Sequence, residues 1–377
     1  MTVARSNSVD DDVSGFYHCI SRCVRRAFLC GWDAFSQTDY EHRRQWIYNR
    51  LVVLADLFFI DVCGFSVMMN HLHVILRNRP ELAWQASDQE IALRWWRLFP
   101  KRRDGQFQPE EPTIEELNDI LDGEGRVEEL RKRLSSISWF MRCLKEPVAR
   151  RANKEDECTG RFWEGRFKSI ALLDQAAILA CSTYVDLNPI RAGLAQTPET
   201  SLFTSAYDRI LARTARKGKD GGGVHFTKDS VDVQTHDPQV SNVSARDRKK
   251  DQWLCPLQDE TNRRGYLNIS LDDYLSLLDW TGRQIIQGKR GAIPGHLEPI
   301  LIRLEINPAQ WLQSSQYFGT VFYRAAGTLS SLRKAAIEAG RKWFKGKQSS
   351  STLFLDKYGQ RADPRANPDQ STTTLVA

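Results

Sequence analysis

The stretch that decides the fold is Gly64-Phe-Ser-Val-Met-Met-Asn-His-Leu-His-Val-Ile-Leu-Arg77. After Asn70 it is short, apolar and partly β-branched, which predicts a turn followed by a strand. Side chains on a strand alternate between two faces, so His71 and His73 point the same way. Two imidazoles on one face can both reach one ion. Alone, such a pair more often consists of ordinary strand histidines, one exposed and one hydrogen-bonded.

Apolar patterns on either side of this strand predict an alternation of strands and helices. They indicate a strand over 16–22, a helix over 39–58 and a strand over 59–68, with Gly64 at a bulge. Further along they indicate a helix over 134–152, a strand with its approach over 159–170, and a helix over 173–187 that Asp174 caps. The chain therefore belongs to the α+β class.

Composition sets limits on the class of protein. The chain has 377 residues, 41% of them hydrophobic and 27% charged, and a net charge of +6. It has no apolar run long enough to span a membrane and no signal-peptide pattern, so we expect no membrane partner and a cytoplasmic location. None of its eight cysteines forms a Cys-x-x-Cys pair, which argues against a zinc ribbon or a thioredoxin-type site.

Shifts in composition predict the domain organisation. We expect a disordered leader over 1–14, a first domain over 15–195 with an insertion over 81–130, and a linker over 196–260 that is rich in Gly, Ser, Asp and Lys. A basic helical domain over 262–345 and a disordered tail over 348–377 would follow.

A basic and aromatic stretch precedes the last helix of the first domain. Between Arg131 and Lys168 we count eleven Lys or Arg against five Asp or Glu. Within it lies Gly-Arg-Phe-Trp-Glu-Gly-Arg-Phe-Lys at 160–168. Basic side chains interleaved with aromatic rings suit phosphate contacts and base stacking, although a solvated basic face would look the same.

The helix over 173–187 carries Tyr184 in its last turn, and Asn188 follows four residues later. Pro189 disfavours helical geometry at Asn188, so the helix is expected to end there.

Three pieces in this order resemble a known family: the strand His71-Leu72-His73, the strand at 160–168, and the helix end Tyr184-Val-Asp-Leu-Asn-Pro-Ile-Arg-Ala-Gly193. They look like a single-tyrosine HUH transposase of the IS200-like family, in its REP-associated tyrosine transposase branch. The resemblance covers about 16–193, apart from the insertion.

The resemblance implies a ferredoxin-like or RRM-like antiparallel sheet backed by helices. It implies that His71 and His73 bind Mg²⁺ or Mn²⁺, with Asn188 as the third ligand, and that Tyr184 is the nucleophile. The partner would be single-stranded or hairpin DNA, in a monomer or a homodimer. The residues expected to contact DNA are Arg161, Trp163, Arg166, Lys168 and Arg191.

The reaction implied is the attack of the Tyr184 hydroxyl on a DNA phosphodiester, which leaves a 5′-phosphotyrosine link and a free 3′-OH. Three alternatives stay open: a domesticated, non-catalytic protein that binds DNA hairpins and regulates, an HUH nickase for replication, and a metal-dependent hydrolase. Nickases commonly have two tyrosines on the active helix, whereas Tyr184 has none at helical spacing. The sequence has no carboxylate-rich ligand motif of the kind that a hydrolase would use.

Overall fold

A five-stranded sheet is the centre of the fold in the part of the chain that the computed structural model describes. The described residues are 11–24, 29–34, 36–105, 109–217, 247–285, 324–341 and 343–354, with the single residues 311, 318 and 322. Along the chain the strands are β1 (Phe16–Arg22), β2 (Trp32–Asp33), β3 (Thr38–Asp39), β4 (Ile60–Val67), β5 (His71–Asn78), β6 (Lys168–Leu172) and β7 (Ala325–Ala326). The main sheet has the order β4-β5-β1-β6-β7, and β2 pairs with β3 separately.

Helices cover both faces of this sheet. In the described residues, the α-helices are α1 (His42–Leu57), α2 (Pro80–Gln85), α3 (Asp88–Leu98), α4 (Ile114–Leu121), α5 (Arg126–Ser135), α6 (Ile137–Glu155), α7 (Gln175–Asp186), α8 (Asn188–Arg191), α9 (Ser205–Lys217), α10 (Leu271–Ile285), α11 (Leu329–Glu338) and α12 (Lys347–Leu353). No helix among them is long and apolar enough to span a membrane.

The alternation of side chains along β5 divides the core into two layers. Leu72, Val74 and Leu76 point into one layer, where they pack with apolar residues of α1 and α6. Ile75 points the other way and packs with residues of α7 and α10. The histidines of β5 lie on the same face as Ile75, because they occupy the odd positions of this strand. The predicted strand is thus an interior strand of the sheet, beside the central β1, and turns its two histidines toward α7.

The predicted strand over 16–22 is present as β1, and the register shift between Val62 and Gly64 is the expected bulge. The expectation of a purely antiparallel sheet is wrong in one place. β7 pairs with β6 in parallel, through Ala171 opposite Ala325 and Leu172 opposite Ala326. The sheet is therefore mixed, since a short strand from the C-terminal region is added at its edge.

The region predicted as a linker differs from the expectation where the structure describes it. Residues 205–217 form α9, and Arg209 of this helix donates hydrogen bonds to the carbonyls of Cys63 (3.0 Å) and Cys255 (2.9 Å). Leu254 and Cys255 are buried in the core. The Gly-rich part, 218–246, lies outside the described residues. Two segments of the expected linker are thus parts of the folded core.

The C-terminal region continues the same core. Residues of α10 pack in one cluster with residues of α7 and β6. Within the predicted tail, 348–353 belongs to α12 and Phe354 is buried. Residues 1–10 of the predicted leader, 286–310 of the predicted helical domain and 355–377 of the predicted tail lie outside the described residues.

Candidate active site

The two histidines of β5 follow a tight turn between β4 and β5. The backbone N–H of Met68 donates to the carbonyl of His71 (2.9 Å), which closes a turn at Met69 and Asn70. The rings of His71 and His73 lie edge to face with centroids 4.7 Å apart. The sequence prediction that they share one face is therefore consistent with the register of the sheet.

A third histidine, His18 of β1, lies in the same layer. Its Nε2 is 2.9 Å from the Nδ1 of His73, and the two rings stack with centroids 5.1 Å apart. His18 is 0% exposed and His73 is 2% exposed. The sequence analysis missed His18, because only the antiparallel pairing of β1 with β5 brings the two side chains together.

Burial determines the charge of these imidazoles. Burial, with the nearby His71, lowers the pKa of His18 to about 3, and burial lowers the pKa of His73 well below its ordinary value. Burial and the charge of Arg22 lower the pKa of His71 to about 4. All three rings are therefore neutral at pH 7, which is the state in which imidazole binds a metal.

The hydrogen bonds leave one ring nitrogen of each β5 histidine available. Nδ1 of His71 lies 2.6 Å from Oδ1 of Asn70, which accepts the ring proton and leaves Nε2 unprotonated. Nε2 of His73 is buried and has no hydrogen-bond partner among the described residues. Both rings therefore have one nitrogen engaged by a neighbour and the other available.

The end of α7 brings Tyr184 to this cluster. The Tyr184 ring meets His73 edge to face at 5.5 Å between centroids, and His18 at 5.9 Å. Asp174 caps the start of α7, as predicted, by accepting the N–H of Ala177 (2.9 Å). The nucleophile suggested by the sequence and the histidines thus lie together in the structure.

The predicted end of the helix at 187 is confirmed to within one residue, but Pro189 does not turn the chain away from the direction of α7. α7 ends at Asp186 and α8 begins at Asn188, but Leu187 between them keeps helical dihedrals (φ −87°, ψ −3°). Pro189 is tolerated because proline fits the first turn of a helix, where its missing N–H needs no partner. Tyr184 and Asn188 therefore stay one helical turn apart.

The surroundings of the Tyr184 hydroxyl act on its pKa in opposite directions. Burial raises the pKa of Tyr184, whereas the positive charge of Arg191 and the Asn188 amide lower it. The guanidinium carbon of Arg191 lies 5.2 Å from the centre of the Tyr184 ring. Phe318 packs on the other side of the ring, with centroids 6.1 Å apart.

A divalent cation fits the donors present at this site. Beside the two available imidazole nitrogens, the buried Nδ2 of Asn188 has no hydrogen-bond partner among the described residues. A half-turn of that amide puts Oδ1, a good ligand for Mn²⁺ or Mg²⁺, in the same place. Nowhere in the described ranges do three or more His, Cys, Asp or Glu cluster as a metal site. A site here would consist of two histidines and an amide.

Basic side chains flank the histidines on the same face of the sheet. Arg22 of β1 lies directly opposite His71 of β5. Ile20 of β1 lies between two neighbours, His73 on β5 and Lys168 on β6. Lys168 is therefore about 10 Å from His73, two strand spacings away. Arg22 and Lys168 are exposed, as are Arg161 and Arg166. Arg22 was not predicted from the sequence.

Trp163 differs from the expected stacking platform for a DNA base. Its ring is only 9% exposed, its Nε1 donates to the carbonyl of Lys145 (2.9 Å), and the Lys145 ammonium lies over the ring. Trp163 also pairs with Cys23 in an isolated antiparallel β-bridge. This bridge lies beyond the paired residues of β1 and β6. Trp163 is thus part of the core, where its ring is not available to bases.

Comparisons with known proteins add little to this geometry. No family model matches the chain, and no curated protein does. Among solved structures, the chain is similar to a REP-associated tyrosine transposase bound to a REP hairpin, with 12% identity and a TM-score of 0.33. The match covers 62% of this chain and 96% of that chain. A likeness at this level carries no argument about function, so the geometry of the site has to carry it.

Proposed function

We propose that this chain is a metal-dependent DNA transesterase that cleaves single-stranded or hairpin DNA through a covalent link to Tyr184. The proposal includes the finer family assignment, a single-tyrosine HUH transposase of the IS200-like family in its REP-associated branch. The strand–helix–strand–strand–helix–strand connection and the order β4-β5-β1-β6 are those of a ferredoxin-like sheet and support it.

The observation that carries the proposal is the meeting of Tyr184 with the histidine face. The Tyr184 ring touches the His73 ring, whose Nε2 is unpartnered among the described residues, and Asn188 lies one turn further along the chain, at the start of α8. A tyrosine packed only for stability would not need two neighbouring imidazoles that each have a ring nitrogen available. The juxtaposition is what a metal-assisted attack by a phenol requires.

The reaction balances with the groups at hand. The Tyr184 oxygen forms a bond to phosphorus as the bond from phosphorus to the 3′-oxygen breaks. The phenol loses its proton and the departing 3′-oxygen gains one, so the products are a 5′-phosphotyrosine and a 3′-OH. The phosphodiester energy is kept in the new link, and the reverse reaction can rejoin strands.

Ionising the phenol is the main obstacle that the site must overcome. A tyrosine of ordinary pKa near 10 needs about 4 kcal/mol to ionise at pH 7, and burial raises this requirement for Tyr184. The positive charge of Arg191 reduces this requirement. Burial lowers the pKa of the Arg191 guanidinium to about 10, so the guanidinium remains charged at pH 7 beside the ring. A cation bound by His71, His73 and Asn188 would supply Lewis acid chemistry at the scissile phosphate.

Exposed cations of β1, β6 and the segment before β6 can hold the DNA backbone. Arg22 and Lys168, with Arg161 and Arg166, have no carboxylate within ion-pair distance in the described part of the chain. Their charge is therefore available to phosphates, each of which contributes a salt-dependent share of affinity.

The decisive experiment looks for a covalent protein–DNA adduct. Labelled single-stranded hairpin DNA is incubated with the protein and Mn²⁺, then separated by denaturing electrophoresis. We expect an adduct with the wild type, none with Tyr184→Phe, none with EDTA, and a normal yield with Tyr207→Phe, a partly buried tyrosine of α9 outside the site. Cleavage that survives Tyr184→Phe would disprove the assignment of the nucleophile.

A second candidate function is non-catalytic binding of DNA hairpins. It is favoured by two observations: Phe318 packs against the Tyr184 ring, and burial raises the pKa of the Tyr184 hydroxyl, both of which oppose attack. Binding without an adduct, over a panel of hairpins and with both metals, would make this the better description.

A further inference from the structure

His18 has no role in the sequence predictions or in the proposed reaction. We infer that His18 is a positioning residue: it accepts the Nδ1 proton of His73 and thereby presents the His73 Nε2 lone pair to a divalent cation. The inference rests on the proposed function only for the presence of a cation at this site.

The contact leaves only two arrangements of protons. His18 Nε2 and His73 Nδ1 are 2.9 Å apart, so one of them carries a proton and the other accepts it. If His73 donates, its Nε2 is a lone pair. If His18 donates, the His73 proton sits on Nε2, where it would block a cation.

Because both rings are buried, it matters which of the two carries the proton between them. His18 Nδ1 and His73 Nε2 are both buried without a hydrogen-bond partner in the described residues. Each arrangement therefore leaves one unpaired N–H and one unpaired lone pair, and without a cation neither has a clear advantage. A cation at His73 Nε2 selects the arrangement in which His73 donates to His18, so the cation and the proton between the rings are linked.

The neighbouring histidine has the same kind of support from a different residue. Nδ1 of His71 is held by Oδ1 of Asn70 at 2.6 Å, which leaves the His71 Nε2 as a lone pair. Both candidate ligands thus have an acceptor on Nδ1, one an exposed amide in the turn and one a buried imidazole of β1. Metal-binding histidines generally need such a partner, which fixes the tautomer and the ring orientation.

Removing the acceptor while keeping the volume would leave the His73 Nδ1–H buried and unpaired whenever a cation is bound. We expect His18→Leu to weaken Mn²⁺ binding by about 10- to 100-fold, the range found when such supporting partners are lost. His18→Gln places an amide oxygen near the position of Nε2, so it should restore affinity to within a few fold of the wild type.

The test measures Mn²⁺ binding to the full chain, without DNA, by the loss of the free Mn²⁺ signal in electron paramagnetic resonance. His42→Leu is the matched control, since His42 is exposed on α1 and paired with Glu155 away from the site. Circular dichroism establishes that each variant is folded. If His18→Leu does not fold, His18→Met replaces it, because Met and Gln have equal length but only Gln offers a strong acceptor.

Three outcomes overturn the inference. Wild-type affinity in His18→Leu or His18→Met would show that the acceptor is unnecessary, with the proposed function intact. Equal loss in the Leu, Met and Gln variants would show a packing role. Absence of any Mn²⁺ binding by the wild type would remove the proposed metal site itself. Loss in the Leu or Met variant, with recovery in the Gln variant, supports the inference.

Discussion

Replacing Asp186 should release the end of α7 from its supports. Asp186 is buried two residues after Tyr184, and its carboxylate accepts three hydrogen bonds. The donors are the hydroxyl of Ser205 (2.6 Å), the backbone N–H of Ala206 (3.0 Å) and the hydroxyl of Tyr274 (2.6 Å). One side chain thus ties α7 to both α9 and α10.

The size of the effect follows from these three contacts. Asp186→Ala leaves three buried donors unpaired, and each such group costs about 1–3 kcal/mol, so the upper sum is about 9 kcal/mol. Part of this is recovered, because burial raises the pKa of Asp186 and its charge is unfavourable in the core. We expect the free energy of unfolding to fall by about 3–5 kcal/mol. Domains of ordinary stability have only about 5–15 kcal/mol to lose.

Two milder variants separate the contacts. Tyr274→Phe removes one donor and should cost about 1–2 kcal/mol, and Asp186→Asn, which keeps one acceptor oxygen, should lie between this value and the alanine variant. Urea unfolding followed by circular dichroism gives each value, and the double variant Asp186→Ala/Tyr274→Phe closes a cycle. We expect a coupling of about 1–3 kcal/mol between the two residues.

A loss below about 1 kcal/mol in Asp186→Ala, or a coupling of zero, would refute the reasoning, since the three short contacts would then contribute nothing. In the adduct assay, folded Asp186→Asn should react more slowly than the wild type, because Tyr184 is positioned by the same helix end. A normal rate in that variant would mean that the helix end is held by packing alone.

Three further predictions concern charge at the site. Arg22→Ala should reduce the slope of log affinity for single-stranded DNA against log salt by about 0.7, whereas Arg142→Ala on the exposed face of α6 should leave it unchanged; equal slopes in both would exclude the proposed phosphate contact. The folded chain holds the pKa of the three site histidines below the ordinary 6.5, so the unfolded chain binds more protons than the folded chain as the pH falls. The neutral histidines therefore contribute to the free energy of unfolding fully above pH 6.5. This contribution is lost as the pH falls toward about 4. Urea unfolding of the metal-free chain between pH 7 and pH 5 should show it as a decline of up to ~4 kcal/mol per pH unit, shallower in His18→Gln; a flat profile would contradict neutral, buried imidazoles. Asn188→Asp should bind Mn²⁺ more tightly yet form the adduct more slowly, because the added negative charge offsets that of the cation and raises the Tyr184 pKa; a faster reaction would count against the neutral donor set.

The local sequence pattern predicted the strands that build the site. It could not predict which residues of different strands lie side by side, because that depends on long-range strand pairing. The alternation of residues in β5 placed His71 and His73 on one face, and the bounds of β1 followed from its own residues. His18 was visible in that strand, but its direction toward His73 depends on the β1–β5 register, which pairs Ile20 with His73. That register links residues more than fifty positions apart, so no window of local sequence contains it.

The errors outside the site have the same origin. α9 buries Ala206, Ala212 and Ala215, small residues that give little hydrophobic signal, and a Gly-rich segment follows it directly. β7 is two residues long and exists because β6 offers an edge to pair with. Both elements depend on the surfaces they meet rather than on their own propensity.

If the proposed function holds, the charges around Tyr184 would favour attack by the protein over attack by water. The donors available to a cation, two imidazoles and an amide, are neutral, so a bound ion would keep its full charge toward a phosphate. The nearest carboxylate on the helix, Asp186, is turned away and fully engaged by α9 and α10. No cluster with a carboxylate that could share the ion or deprotonate a water is found in the described residues. What remains beside the histidines is the phenol itself, with Arg191 to stabilise its anion, and this combination suits a strand exchange that conserves the phosphodiester more than a hydrolysis that loses it.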